Sequence, residues 1–144
     1  MQLDKFSDYA LRILIALAAH APDKLATSTI AQMYGISENH LSKIATQLAK
    51  NGFILSERGR NGGLTLAQPA TVISIGAVLR TLKKDEAVAE CFGRNVSCTI
   101  IPACGMRGPL LAAQEAFFVV LDAYSLADVT RSRKILKQLL DPTT

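Results

Sequence analysis

Apolar residues recur through the first twenty positions with helical spacing. Phe6, Tyr9, Ala10, Ile13, Leu14 and Leu17 share one face, so the pattern predicts an amphipathic helix over residues 4–20, ended by Pro22-Asp23. A second helix is predicted at Thr27–Tyr34, capped near Leu25–Thr27 and stopped by Gly35. Ser37 is placed to cap a third helix with Leu41, Ile44, Ala45 and Leu48 on one side, closed by Asn51-Gly52. Phe53–Ser56 and Leu64–Ala67 are then short β-prone runs. Between them lies Arg58-Gly59-Arg60-Asn61-Gly62-Gly63, a hairpin signal. Residues 72–83 suit another helix, with Val72, Ile75, Val78, Leu79 and Leu82 as its apolar face.

Residues 85–108 have neither period. Gly108-Pro109 opens a strongly apolar helix, with Pro109 suited to the first turn. From Leu110 to Tyr124 only Gln114, Glu115 and Asp122 are strongly polar. A helix apolar on nearly every side must be covered on several sides. A helix from a second copy is the expected cover, because this one comes late and no further large domain follows. A central helix inside one chain is the alternative. Ser125-Leu-Ala-Asp128 resembles a capping box with Asp in the Glu slot, and predicts a last helix to about Leu140. The fold class is therefore mainly α with a small β-hairpin. A winged helix-turn-helix is expected over residues 1–84, a cysteine-containing loop over 85–108, and a dimerisation helix with a C-terminal helix over 109–144.

Residues 27–48 carry the helix-turn-helix pattern. Ala31 is small where two helices must approach, and Gly35 lies four residues on, where the turn needs a positive φ. Away from its packed face the second helix of the pair shows Asn39, His40, Ser42, Lys43, Thr46 and Gln47, with Ser37 at its start. These are donors and acceptors of a length suited to base edges and phosphates in a major groove. An ordinary helical pair with a solvated face would carry similar residues, and the hairpin separates the two readings. Helix-turn-helix followed by a hairpin is the winged-helix order. Its turn holds Arg58, Arg60 and Asn61 among three glycines. Glycine admits close approach to a phosphate chain, and arginine can enter a narrow minor groove. Double-stranded DNA is the expected partner. His40 reads as a phosphate or base contact, since no cysteine or second histidine lies near it in sequence. His20, at a helix end, reads as a surface residue.

The charge distribution agrees with this. The net charge of +4 over 144 residues is uneven: residues 1–84 hold ten Lys and Arg against five Asp and Glu, and residues 85–144 hold six against seven. That describes a polyanion-binding front and a neutral rear. With 49% hydrophobic and 19% charged residues the chain is not disordered. No apolar run reaches the roughly 18 residues of a membrane span. Ile13–Ala21 mimics a secretion signal, but Asp4 and Asp8 cancel Lys5 and Arg12 ahead of it. A cytoplasmic location is expected. There is no nucleophile–base pair, phosphate loop or substrate signature, so an enzyme is not expected.

The three cysteines, Cys91, Cys98 and Cys104, fall in one loop with the spacing C-x6-C-x5-C. In a reducing compartment such a group reads as metal binding or redox chemistry before disulfides. Zinc would usually recruit a histidine or a fourth cysteine, and no histidine lies in residues 85–124. Free thiols or a redox disulfide need no cluster and explain the odd count poorly. An iron–sulfur cluster with three cysteines and one weaker ligand fits best. Arg94, Arg107, Gly93, Gly105 and Gly108 would supply compensating charge and close backbone amides.

At this point the chain resembles a known family. The residues that carry the likeness are Met1-Gln-Leu-x-x-Phe6-Ser-Asp8-Tyr-Ala-Leu-Arg12, Ser37-Glu-Asn-His-Leu-Ser-Lys43, Arg58-Gly-Arg-Asn-Gly-Gly-Leu64, Glu90-Cys-Phe, Cys98 and Pro102-Ala-Cys104. They continue through Ala113-x-Glu-Ala-Phe117 and Leu121-Asp-x-Tyr-Ser-Leu-Ala-Asp128. The family is that of the small dimeric winged-helix iron–sulfur repressors, which includes the NsrR and IscR types. The likeness spans nearly the whole chain. It is closer to the nitric-oxide-sensing NsrR type, because the IscR type carries a histidine where Arg107 stands here. The resemblance implies a homodimeric repressor on a palindromic operator, with nitric oxide as its signal. It implies a [4Fe–4S] cluster, with [2Fe–2S] as the alternative, on Cys91, Cys98 and Cys104. By the same resemblance Asp8 of the partner subunit is the fourth ligand.

A carboxylate oxygen is a weak ligand for cluster iron and leaves one iron open to attack. Arg12, one helical turn on, can hold Asp8 as an i,i+4 pair. A plain surface pair is the simpler reading of these two residues. Two rivals remain: a sensor of iron supply, cluster status or superoxide on the same fold, and a cluster carrier or electron-transfer protein. The second would not need Lys43 or the wing arginines.

Overall fold

Asp4 starts the fold as a helix cap. Its carboxylate accepts the amide of Ser7 at 3.1 Å, at the head of α1 (Lys5–His20). The computed structural model describes residues 2–141. Met1, the first residue of the family likeness, and residues 142–144, the end of the expected C-terminal region, lie outside the described residues. α1 is the axis of the molecule. Its buried Ala10, Ile13, Leu14, Ala16, Leu17 and Ala19 leave little but small and branched apolar surface, and most of the later helices and one hairpin strand pack on it. His20 belongs to that buried face rather than to the surface as expected. The residue is 8% exposed, and its Nδ1 lies 2.9 Å from the Ala16 carbonyl one turn back, which gives the buried ring a polar partner.

α2 (Thr27–Tyr34) and α3 (Glu38–Lys50) form the expected helical pair. Gly35 has φ 64°, and the amide of Ile36 reaches back to the Ala31 carbonyl at 3.0 Å, closing the turn. Ser37 caps α3 through the amide of His40. Leu41, Ile44, Ala45 and Leu48 are buried against α1 and α2, as the spacing requires.

The hairpin is β1 (Ile54–Glu57) and β2 (Gly63–Leu66), antiparallel, pairing Ile54 with Leu66 and Glu57 with Gly63. The strands sit one residue from the expected spans. β1 starts late because the amide of Phe53 still bonds to the Leu48 carbonyl at the end of α3. β2 starts early because Gly63, at φ 144°, already pairs with Glu57. Leu25 and Leu64 exchange both backbone bonds, at 3.1 and 2.8 Å, and moor the hairpin to the segment before α2.

α4 is shorter than expected. It runs Ile75–Leu82, capped by Ser74 onto Ala77, and is preceded by a 3-10 turn at Ala70–Val72 after Pro69. Val72 lies outside the apolar face assigned to it and is 62% exposed. α5 runs Arg107–Asp122, opening two residues before the expected Pro109. Only Phe118 of α5 is buried, while Leu111, Val119 and Val120 are 48, 54 and 60% exposed. Its own chain therefore covers one side of this helix. A central helix wrapped within one chain is not what forms.

The last helix is broken in two. Ser125 and Asp128 make the full reciprocal capping box for α6 (Leu126–Val129), and α7 (Arg133–Leu140) follows after Thr130–Ser132. The break lets α7 turn back along α1. Arg133 Nε donates to the Ala19 carbonyl at 3.0 Å, and its Nη2 reaches the Ala21 carbonyl, capping the end of α1.

Candidate nucleic-acid interface and cysteine loop

α3 presents its polar side outward. Ser37, Asn39, Ser42, Lys43, Thr46 and Gln47 are all exposed on the helix whose opposite face is locked into the core. Thr46 spends its hydroxyl proton on the Ser42 carbonyl at 2.9 Å, which leaves its methyl group and acceptor lone pairs for outside contacts. His40 is placed differently. Its ring is half-buried and meets Tyr9 of α1 edge-on, with centroids 5.3 Å apart. Arg58, Arg60 and Asn61 stand exposed on the wing. The turn is built by glycine: Gly59 has φ 100°, and a Cβ on Gly62 would lie 2.8 Å from the backbone carbon of Arg58. Lys24, which the sequence did not single out, bridges Glu57 and the Asn61 carbonyl and pins the wing to the α1–α2 turn.

Neutralising the wing should therefore act on salt dependence before fold. Arg58→Ala/Arg60→Ala is expected to weaken DNA binding and to flatten the log–log salt slope by about 2 if both residues neutralise phosphates. A fluorescence titration across salt concentrations checks this. Unchanged slope and affinity would remove the wing from the interface.

Asp8 and Arg12 form the expected pair on α1, with Arg12 Nη2 donating to Asp8 Oδ2 at 3.0 Å. The surroundings are more specific than a surface pair needs. The Arg12 guanidinium lies 5.3 Å from the Tyr9 ring centroid and 5.7 Å from that of Tyr34. Tyr34 donates its hydroxyl to the Arg12 carbonyl at 2.9 Å. Burial pushes the Tyr34 phenol up to about 12; Arg12 opposes this and Asp8 adds to it. Tyr9 and Tyr34 thus hold Arg12, and Arg12 holds Asp8 with part of its carboxylate open. The rings could be read from sequence only as core residues, because α1 and α2 are joined through space.

Cys91 and Cys104 are half-buried and Cys98 is exposed, all three as free thiols. Cys91 sits in a 3-10 turn at Glu90–Phe92, and Cys104 follows another at Ile101–Ala103. The root of this loop is clamped to α1. Lys83, at the end of α4, donates to Asp4 at 2.7 Å and to Glu86 at 2.6 Å. Burial alone would raise the Asp4 carboxyl. The bonds from Lys83 and Ser7 outweigh it and hold the group at about 2.

The donor chemistry fits an iron–sulfur group. Three soft thiols lie on one loop, and the Nε of the adjoining Arg107 is buried without a partner. Among the described residues no three His, Cys, Asp or Glu side chains converge as a ready-made metal group, so a single chain carries these donors unassembled.

A winged helix-turn-helix with an outward polar recognition helix and an arginine-tipped wing defines a DNA-binding regulator of transcription. Comparison with known proteins makes the class particular: residues 3–132 match the Rrf2 family, described as iron-dependent transcriptional regulators, and the chain belongs to that family. It is 44% identical over 142 residues to the HTH-type transcriptional regulator NsrR of Geobacillus kaustophilus, covering 97% of each chain. It is 39% identical over 142 residues to the regulator of the same name from Bacillus subtilis, again covering 97% of each. Among solved structures, CymR, the global cysteine regulator of B. subtilis, matches with a TM-score of 0.71 at 25% identity, over 92% of this chain and 98% of that one. IscR of T. potens shares the fold with a TM-score of 0.71 at 23% identity, over 92% of this chain and 88% of that one. The relatives are regulators, and so is this chain; it is not an enzyme.

Proposed function

We propose that the chain is a cytoplasmic, homodimeric repressor that senses nitric oxide through a [4Fe–4S] cluster. Cys91, Cys98 and Cys104 would hold the cluster, and Asp8 of the partner subunit would close it. One observation carries most of this reading: a loop with three free thiols joins a DNA-binding unit to a helix whose apolar side its own chain leaves bare. The names of the relatives and the family description support it. When bound, such a group would supply iron reactive toward nitric oxide, held by the three thiols and, more weakly, by the Asp8 carboxylate.

The chain's own residues do the rest. Leu111, Val119 and Val120 of α5 give a second copy an apolar surface to cover. Tyr9 and Tyr34 fix Arg12, which aims Asp8 out of α1. A tie between loop and α1 across the dimer sets the separation of the two α3 helices, which must meet half-sites about one DNA turn apart. Nitric oxide acts only as far as it binds the tied and untied forms unequally. The family description gives specific weight to a second reading, in which iron supply is the signal.

The test is anaerobic purification, an absorption spectrum, nitric-oxide titration and a DNA-shift assay on the same samples. Wild type should lose DNA affinity as nitric oxide is added. Asp8→Ala should keep its iron and, by sedimentation, its dimer, yet bind DNA about 5–150-fold more weakly. If Asp8→Ala matched wild type in DNA affinity and nitric-oxide response, Asp8 would be a surface partner of Arg12 and nothing more. Loss of DNA affinity on iron removal, with indifference to nitric oxide, would select the iron-supply reading.

A further inference from the structure

The N-terminus of α5 meets the cysteine loop at Arg107, and this residue is held in an unusual way. Its Nη2 donates to the Cys91 carbonyl at 3.4 Å, and its guanidinium lies 5.0 Å from the Phe92 ring centroid. Its Nε is buried and has no hydrogen-bond partner. A guanidinium N–H shut away from water without an acceptor is a rare arrangement that calls for an explanation. The cysteines adjoin this residue: Cys91, whose carbonyl takes the Nη2, is half-buried, and Cys104 is half-buried three residues before Arg107 in sequence. The helix behind it adds charge of the same sign. α5 begins at Arg107 without a side-chain cap, and its positive N-terminal end follows the cysteine loop directly in the chain.

We infer that Arg107 is a positioning residue for the iron–sulfur group, orienting Cys91 through its carbonyl and presenting a buried N–H to a thiolate or sulfide acceptor. The inference rests on the iron–sulfur reading above and gives it a specific electrostatic part. Three thiolates make the bound group anionic, and adding an electron makes it more so. A fixed guanidinium stabilises the reduced state over the oxidised one and holds the reduction potential up. Arg94, on the same loop but exposed, has no comparable geometry and serves as the control.

The experiment uses full-length protein, reconstituted anaerobically with iron and sulfide, as wild type, Arg107→Gln, Arg107→Lys and Arg94→Gln. Iron and sulfide content, midpoint potential in a dithionite titration, and the rate of iron loss to a chelator are read on each. Arg107→Gln should retain its iron and sulfide, because the thiols remain. Its potential should fall by about tenfold in the reduction equilibrium, which is about 59 mV for one electron, and its iron should leave faster. Arg107→Lys restores the charge without the planar fork and should recover part of the potential. Arg94→Gln should match wild type. Arg107→Gln and Arg107→Lys both at the wild-type potential would overturn the inference while leaving the iron–sulfur reading intact. Wild type that takes up no iron or sulfide would overturn both.

Discussion

Alanine at any one of Cys91, Cys98 or Cys104 is expected to abolish the visible iron–sulfur absorption of anaerobically purified protein and, with it, the response to nitric oxide. The three thiols are the only cysteines in the chain, so no spare donor can replace a lost one. They are also unequal partners for any oxygen ligand. Thiolates are soft and bind cluster iron strongly, whereas a carboxylate adds little affinity. Removing one thiolate therefore removes a large part of the affinity, while removing Asp8 should remove little. The two substitutions separate retention of the group from its coupling to DNA. The cysteine variants should still fold, because the loop contributes nothing to the buried core, which is built from α1–α4, the hairpin, Leu25, Ile73, Phe118, Leu126 and Leu140. Circular dichroism should stay at the wild-type value while DNA affinity drops to that of the iron-free protein, about 5–150-fold lower. Full iron and sulfide in one variant would take that cysteine out of the ligand set.

The DNA-reading half of the molecule was legible because its signals are local. Gly35 and Ser37 decide the α2–α3 turn by φ and by a cap three residues long, and the leucines and isoleucines that follow need only helical spacing. The capping box at Ser125 was legible for the same reason. Features that depend on contacts across the chain were not. Val72 continues the apolar spacing of α4, but Pro69 and the Ser74 cap end its usefulness to the helix, and periodicity alone cannot detect that. The break after α6 follows from Arg133 bonding to the end of α1, more than 110 residues away. His20 looked like a surface residue because the α7 that covers this end of α1 arrives only through that break.

The site shows the same division. Asp8 and Arg12 are visible as an i,i+4 pair, but Tyr9, Tyr34 and His40 join them only once α1, α2 and α3 are packed. Lys83 could be seen as a charge near the loop, yet not as the residue that ties the loop's root to the cap of α1. In the cysteine loop the donors were readable and their arrangement was not. With no helical or strand period, the chain path there is set by side-chain bonds such as Arg107 to Cys91 and Ser97 to Glu90.

Gly76→Ala is expected to destabilise the protein by about 2–3 kcal/mol, against a helix-propensity gain of about 1 kcal/mol that would apply at an unconstrained helical position. α4 passes α5 so closely that a Cβ on Gly76 would lie 2.5 Å from the backbone nitrogen of Asp122 and 2.7 Å from its Cα, and closer still to its Oδ1. A flexible side chain could swing aside, but these are backbone atoms, and they are stitched in place. The amide of Ile75 donates to the Tyr124 carbonyl at 2.9 Å, and that of Leu126 to the Ile73 carbonyl at 2.8 Å. Arg80 adds bonds to Glu115 at 2.7 Å and Asp122 at 2.8 Å, with its guanidinium 5.0 Å from the Phe118 ring centroid. The junction therefore cannot relax without parting α4 from α5. α5 carries the end of the cysteine loop and α4 carries its root, so the same strain should disturb the loop and the exposed apolar surface of α5 proposed above as the contact with a second copy. Urea unfolding would show a lower midpoint at an unchanged slope, and sedimentation would show a weaker dimer. Arg80→Ala, which removes the exposed bonds but introduces no clash, should move the unfolding midpoint far less. A Gly76→Ala protein as stable as wild type, or more so, would mean that α4 and α5 are free to separate. In that case the α4–α5 junction could not carry a change at the cysteine loop to the DNA-binding unit.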